Sequence, residues 1–274
     1  MEQIKEIIKM ASLQKEIANR VIEAFPLLNM GEYQVFIDSL LNKDTAQKAR
    51  EELSKRLEPD PDNIKILTIM LYTLRFTYQR YKEMGIPQQI FIDTIGCYQR
   101  FINEHYIGYK KWSFDREWWA YKQLALIVFR IGILEFEMKD LINDKYISVH
   151  IPSDSILSPY NIKESLIASK NFFKKFFPEY QNLEVRCRSW MLSPTLEELL
   201  AKTSNILYFK NLFRIVKEDY EIGGLITWVY KRHYDDYKIL PEETTLQRNL
   251  KRYLLSEQKF RIGTGILKEE AYLK

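Results

Sequence analysis

The chain has 274 residues, enough for two domains, and its 46% hydrophobic and 14% aromatic residues exclude an intrinsically disordered protein. Its nine scattered glycines form neither a G-x-G-x-x-G nor a P-loop phosphate motif, and two cysteines and three histidines are too few for a cysteine-rich zinc module or a disulfide framework. A net charge of +4 does not imply nucleic-acid binding, but the basic excess lies in the second half and suits an anionic ligand.

Apolar residues at three- and four-residue steps predict that residues 1–120 form a helical N-terminal domain. The expected helices cover residues 1–25, 33–41, 45–57 with Asp44 as N-cap, 62–84, 87–106, and a short segment from Asp115.

Lys and Glu interrupt the apolar runs of residues 1–25, so this segment does not resemble a signal peptide. No stretch approaches the ~20 apolar residues of a membrane span. Cys97 and Cys187 lie far apart and indicate reduced, packed thiols. We therefore expect a cytoplasmic protein with no membrane partner.

From about residue 125 the apolar pattern changes to the two-residue alternation of strands. Alternating runs over 129–138 and 146–151 flank Asn143-Asp144 and predict an antiparallel hairpin. The elements expected next are a helix opened by a capping box at Asn161 and Glu164, a strand over 183–192, a helix starting at Ser193-Pro194, helical spacing over 206–213, strands over 212–216 and 225–230, a helix over 244–257 and a strand over 260–267. Residues 121–274 are therefore predicted to form a mixed α+β domain.

Several strings in this second half resemble those of bacterial GNAT-like N-acyltransferases, which join a helical N-terminal domain to a divergent GNAT-like C-terminal domain. The strings are RIGILEF from Arg130, HIPS from His150, SWMLSP from Ser189, SNI from Ser204 and LPEETTLQR from Leu240. Their order and spacing are more specific for the family than any single string is.

The resemblance implies transfer of an acyl group from acetyl-CoA or another acyl-CoA to an amine of a small molecule or peptide. The amine would attack directly, without a covalent enzyme intermediate, and no metal is expected. In such enzymes the strand before the central helix diverges from its neighbour. The pantetheine arm lies in the gap, and the pyrophosphate lies at the N-terminus of the next helix, where N–H groups favour an anion.

In this chain the phosphate site would lie within residues 153–161, but the family's glycine-rich loop is missing there. We therefore expect neutral donors from Ser153, Ser158 and Asn161 and a positive charge from Lys163 to bind the coenzyme.

His150 is the candidate general base. It ends a predicted strand, faces away from Val149 and Ile151, and directly precedes the expected coenzyme site. Imidazoles exchange protons near neutral pH and can deprotonate an incoming amine. The alternative is a histidine at a strand end that bonds to a neighbouring backbone group.

Tyr208 is the candidate general acid, because related enzymes often place a tyrosine on the helix at this point to protonate the departing thiolate. Asn205 and Trp190 are candidates for acceptor binding. A helix cap is the alternative for Asn205, and core packing is the alternative for Trp190.

Other polar residues favour structural roles. Cys187 is more consistent with a packed thiol than with a nucleophile, and His233 beside Asp235-Asp236 more with a solvated turn than with a metal site. Arg186 and Arg188 are expected on exposed surface. Two competing functions stay open: a non-catalytic binding or scaffold protein on a degenerate GNAT-like sheet, and a helical nucleic-acid-binding protein.

Overall fold

A computed structural model describes residues 2–272 of the chain. The chain divides after Arg130 into two compact units. The first unit consists of helices and ends in a short strand. The second unit consists of a mixed sheet with helices. This architecture confirms the predicted order of a helical region followed by an α+β domain.

Helices of the first unit follow one another with short connections. Their bounds are α1 Glu2–Met10, α2 Lys15–Ala24, α3 Gln34–Leu40, α4 Ala46–Arg56, α5 Ile64–Glu83, α6 Gln88–Ile95, α7 Cys97–Tyr109 and α8 Glu117–Leu124.

Helix α5 is the centre of this unit and packs against α1, α2, α3, α6 and α8. It is buried on more than one side along its first half, and even its threonines Thr68 and Thr73 are fully buried. Each threonine hydroxyl donates to the carbonyl four residues earlier, at 2.7 and 2.8 Å, so burial leaves neither group unsatisfied. The buried face of α5 therefore supplies the core of the first unit.

Three predictions for the helical half are wrong in detail. The helix expected over residues 1–25 is two helices, because Ser12 has φ 52° and the side-chain oxygen of Gln14 accepts a hydrogen bond from the N–H of Ile17, which starts α2. The helix expected over 87–106 is divided at Gly96 into α6 and α7. Asp44 does not cap α4, since Thr45 occupies the N-cap position.

In the described part of the chain the sheet has six strands, in the order β1-β2-β3-β4-β6-β5. Their bounds are β1 Val128–Ile131, β2 Leu134–Leu141, β3 Asp144–His150, β4 Val185–Ser189, β5 Phe213–Tyr220 and β6 Arg261–Leu267. Strands β2 and β3 form the predicted antiparallel hairpin, with Asn143 at φ 62° in its turn. Strand β3 pairs with β4 in parallel, and β6 pairs with β4 and β5 in antiparallel orientation, so the sheet is mixed.

Helices of the second unit are α9 Pro159–Phe176, α10 Leu196–Leu199, α11 Asn205–Asn211, α12 Gly223–Tyr230 and α13 Thr245–Leu255. Helix α9 packs on β2, where the rings of Phe136 and Phe173 lie 6.4 Å apart between centroids. The turn between β1 and β2 touches α9 as well. Gly132 has φ 64°, and a Cβ atom there would lie 3.1 Å from Ser165 Cβ.

The second unit corrects the predicted strand over 225–230, which is helix α12. This apolar run is too short for its spacing to distinguish a strand from a helix. As a helix it buries Leu225, Ile226 and Tyr230 in a core shared with α10 and α13. The expected strand over 183–192 ends earlier, because Ser189 starts a 3₁₀ turn over Trp190–Leu192.

Two predicted helix starts in this unit also shift. Helix α9 begins at Pro159, and its N-cap Ser158 lies three residues before the N-cap expected at Asn161. Helix α10 begins after Thr195, and the Ser193 hydroxyl oxygen accepts a hydrogen bond from the Thr195 N–H at 3.2 Å.

Candidate functional site

Strands β3 and β4 separate before either of them ends. Their parallel pairing joins Ile147 with Val185 and Ser148 with Arg186, and beyond these pairs none is found between them within residues 2–272. Strand β3 nevertheless continues along β2 to His150, and β4 continues along β6 to Ser189. The sheet therefore opens between the carboxyl ends of β3 and β4, a place where α/β sheets commonly bind ligands.

Close contact with β6 directs the chain away from β3 after β4. A Cβ atom at Gly263 would lie 2.5 Å from the carbonyl oxygen of Leu192 and 2.8 Å from its Cβ, so only glycine fits there. The hydroxyl oxygen of Ser189 accepts a hydrogen bond from the N–H of Met191 at 3.1 Å and starts the 3₁₀ turn, which packs on β6. The opening is thus built into the local backbone of β4 and β6.

His150 lies at one side of this opening, at the end of β3. Its Nε2 atom is 2.8 Å from Glu137 Oε2, and the other oxygen, Oε1, is 2.8 Å from Lys139 Nζ. The Glu137 side chain is 3% exposed, whereas that of His150 is 27% exposed. The histidine therefore has a side-chain carboxylate partner on the neighbouring strand and keeps access to solvent.

Sequence reasoning did not identify Glu137. Strand β2 alternates the buried apolar residues Leu134 and Phe136 with Glu135 and Glu137, both of which are also buried. Because the hairpin pairs Glu137 with Ser148, it lies diagonal to His150 on the same face of the sheet. The signal in the sequence was a glutamate two positions along β2 from the residue that pairs with His150.

The predicted coenzyme residues lie between the end of β3 and the first turns of α9. Ser153 is in the exposed turn after β3, whereas Ser158 caps α9 by accepting a hydrogen bond from Asn161 N–H at 3.1 Å. The Asn161 side-chain amide donates to the carbonyl of Ile156, also at 3.1 Å. Ser158 Oγ and the Asn161 side-chain amide therefore both hold the helix cap, to which Pro159 contributes no N–H.

Charge at this helix end favours an anion. Helix α9 has no acidic residue in its first turn, so its own side chains leave the positive end of the helix dipole uncompensated. Lys163 is half-buried near this end and has no acidic partner in the described part of the chain. Lys163 and the start of the helix therefore both contribute positive charge to this part of the second unit.

Helix α11 carries two more of the predicted residues and packs against α9 and the 3₁₀ turn. Tyr208 is half-buried on α11. Asn205 is exposed and does not cap the helix, since Ser204 holds the N-cap and its hydroxyl oxygen accepts a hydrogen bond from Ile206 N–H at 3.2 Å. Trp190 packs against the core of α10, α12 and α13, which agrees with the packing alternative.

Several other polar residues are occupied structurally. Cys187 is fully buried, and burial raises the pKa of its thiol to about 12, as suits a packed thiol. Arg186 pairs with Glu184 at 2.8 Å and with Asp144 at 2.9 Å. Arg188 lies 2.7 Å from Glu221.

Residues 2–272 contain no group of three or more His, Cys, Asp or Glu side chains that fits a metal ion. In the same part of the chain, none of the helices combines the length and the apolar character that a membrane crossing requires.

The fold is similar to those of solved acyltransferases. One, in complex with decanoyl-CoA and teicoplanin, is 19% identical; the match covers 98% of this chain and 88% of that chain, with a TM-score of 0.79. A mutant acyltransferase in complex with octanoyl-CoA is 20% identical, with the same coverage and a TM-score of 0.79. At these identities the likeness concerns the fold. A comparison with curated proteins found no match.

Family models describe nearly the whole chain. The N-acyltransferase N-terminal domain matches residues 2–126, and the GNAT-like C-terminal domain matches residues 128–267, which is more than half of the chain. Both matches agree with the helical and mixed-sheet regions described above. The chain therefore belongs to the GNAT-like N-acyltransferases that carry a helical N-terminal domain.

Proposed function

We propose that the protein is an acyl-CoA-dependent N-acyltransferase, and the opening between β3 and β4 with His150 beside it carries this proposal. Solved acyltransferases of the same fold, at 17–20% identity, bind decanoyl-CoA, octanoyl-CoA and CoA, which supports an acyl-CoA donor. One of them also holds teicoplanin, which supports a peptide or small-molecule amine as acceptor.

The open strand ends suit the pantetheine arm of coenzyme A. An extended ligand with amide groups can add to a strand edge through backbone hydrogen bonds. The pyrophosphate would then lie at the start of α9, where the Tyr160 N–H, the Ser153 and Ser158 hydroxyls and the Lys163 ammonium supply donors and charge. Asn161 would act by holding the cap rather than by direct contact.

Chemistry at this site needs one base and one acid. The neutral acceptor amine attacks the thioester carbonyl carbon, so that a C–N bond forms and the C–S bond breaks. His150 takes the amine proton, Tyr208 donates a proton to the departing thiolate, and exchange with water restores both residues. The products are an amide and free CoA. The buried thiol of Cys187 takes no part, so attack is direct.

We further propose that Asn205 and Trp190 lie close to the acceptor. The protein would act in the cytoplasm, where acyl-CoA is available. Two free, buried cysteines, Cys97 and Cys187, support a reducing compartment.

Thermal unfolding with acetyl-, octanoyl- and decanoyl-CoA tests the donor. A ligand at 100 times its Kd stabilises the folded state by about 2.7 kcal/mol, so at least one acyl-CoA should raise Tm. Lys163→Gln should reduce the rise, whereas Lys174→Gln, an exposed lysine in the last turn of the same helix, should not. No rise with any chain length would instead favour the scaffold function.

A further inference from the structure

We propose that Glu137 is the positioning residue for His150. It fixes the imidazole in the tautomer that carries its proton on Nε2, so that the lone pair that accepts the amine proton is on Nδ1. The catalytic part of this inference rests on the proposed role of His150 as base. The structural part, that Glu137 fixes the tautomer of His150, does not depend on that role.

Rigid elements hold the two side chains. Glu137 and His150 lie on β2 and β3, which pair continuously from Glu135 opposite His150 to Leu141 opposite Asp144. Both side chains therefore lie on strands, and strands hold side chains in position more precisely than loops do. The hairpin therefore holds the two side chains side by side, with His150 Nε2 2.8 Å from Glu137 Oε2.

The charge on Glu137 decides the direction of the hydrogen bond. Lys139 Nζ lies 2.8 Å from Glu137 Oε1, and a positive charge at this distance favours the ionised carboxylate. An ionised carboxylate has no proton to donate, so His150 Nε2 must be the donor. Lys139, Glu137 and His150 thus form a chain in which each oxygen of the buried carboxylate has its own partner.

This arrangement also serves the reaction step. When Nδ1 of His150 takes the proton of the amine, the ring becomes a cation, and the carboxylate beside Nε2 stabilises it without becoming protonated. Glu137 contacts neither the amine nor the thioester in this scheme. It acts through the ring, as the acidic member of a catalytic triad does.

The tautomer can be read directly by ¹⁵N NMR of histidine-labelled protein, because the chain has only three histidines. In the neutral ring we expect His150 to show a protonated Nε2 and an unprotonated Nδ1. Glu137→Ala should give a mixture of tautomers. Glu137→Gln keeps an oxygen acceptor and should retain the Nε2 tautomer. His105 and His233 have other partners and serve as internal controls.

Kinetics then test the catalytic part. Glu137→Ala should lower kcat by no more than the about 10²- to 10⁴-fold that a general base contributes, while KM for acyl-CoA changes little. Glu137→Gln should lower kcat less. If the alanine variant does not fold, Glu137→Met removes the carboxylate at similar volume and takes its place in both measurements.

Three results would overturn the inference. They are a wild-type His150 protonated on Nδ1, a tautomer unchanged in a folded Glu137→Ala protein, and a loss confined to KM. Failure of the proposed function can be told apart from failure of this inference. Undiminished thiol release by the His150→Ala variant would exclude His150 as the base, whereas the NMR result would still show whether Glu137 sets the tautomer.

Discussion

His150 is the residue on which the proposed chemistry depends most directly. Its ring keeps 27% of its surface exposed at the opening of the sheet, while its Nε2 atom is bound to a buried carboxylate. A base needs both properties, since the first lets a substrate proton reach it and the second stabilises the charge it gains. The His–Glu pair therefore has the geometry of a working base.

His150→Ala should lower kcat for thiol release from acyl-CoA about 10²- to 10⁴-fold, which is the usual contribution of a general base. Acyl-CoA binding should survive, because the proposed phosphate site lies at the start of α9 and does not include His150. The measurement is steady-state CoA release with each variant, and His233→Ala, at an exposed histidine outside β3 and β4, is the control. Unchanged kcat in His150→Ala would exclude its role as base.

At the scale of elements, a glycine in β6 shapes the site. Gly263→Ala would place a Cβ atom against the backbone of Leu192, so the 3₁₀ turn has to shift. We expect a loss of about 1–3 kcal/mol in the free energy of unfolding, and weaker acyl-CoA binding, because the 3₁₀ turn after β4 would be displaced from β6.

Gly223 offers a matched control for this change. No atom lies within 4 Å of a Cβ placed there, and it begins helix α12. Gly223→Ala should be neutral or stabilise the protein by about 0.4–1 kcal/mol. Urea unfolding measures both variants, and equal effects at the two glycines would contradict the close contact at Gly263.

A second element-scale prediction concerns Asp62, which precedes α5. Burial alone would raise the pKa of Asp62, but hydrogen bonds and charges from Lys111 and Arg20 lower it below its ordinary value. The folded pKa is thus below the unfolded one, about 3.9. The carboxylate therefore stabilises the fold above that pH, and this contribution is lost as the pH falls through the folded pKa.

Asp62→Asn should lower the free energy of unfolding at pH 7 by about 1–3 kcal/mol, since it removes the charge that Arg20 contacts at 2.7 Å. The difference from wild type should narrow below about pH 4. Urea unfolding from pH 7 to pH 2 measures it, with the 98%-exposed Asp235→Asn as control. A difference that stays constant down to pH 2 would argue against an ionic origin.

Sequence patterns predicted the type of most elements well and their boundaries poorly, as the divided helices within residues 1–25 and 87–106 show. The hairpin of β2 and β3 follows from strict alternation around Asn143, and α13 from its apolar stripe. The apolar run of α12 fits either structure, so only its neighbours decide it. The Glu137–His150 pair depends on a diagonal contact between strands, which no single strand pattern contains.

At the scale of the whole molecule, the family assignment and the sheet opening point to the same donor. In the proposed site, Lys163 and the uncompensated start of α9 would supply the positive charge for the phosphates in place of the missing glycine-rich loop. The excess of four positive charges favours a polyanionic ligand such as coenzyme A. The central claim is therefore that acyl-CoA binds between β3 and β4.

Hydrogen exchange with and without decanoyl-CoA tests this claim most directly. Amides at the ends of β3 and β4, in residues 149–150 and 187–189, and at the start of α9 should exchange more slowly when the ligand is bound. Free decanoate at the same concentration should leave them unchanged. Binding of decanoyl-CoA with unchanged exchange in these segments, or with protection only elsewhere in the chain, would contradict the proposed site.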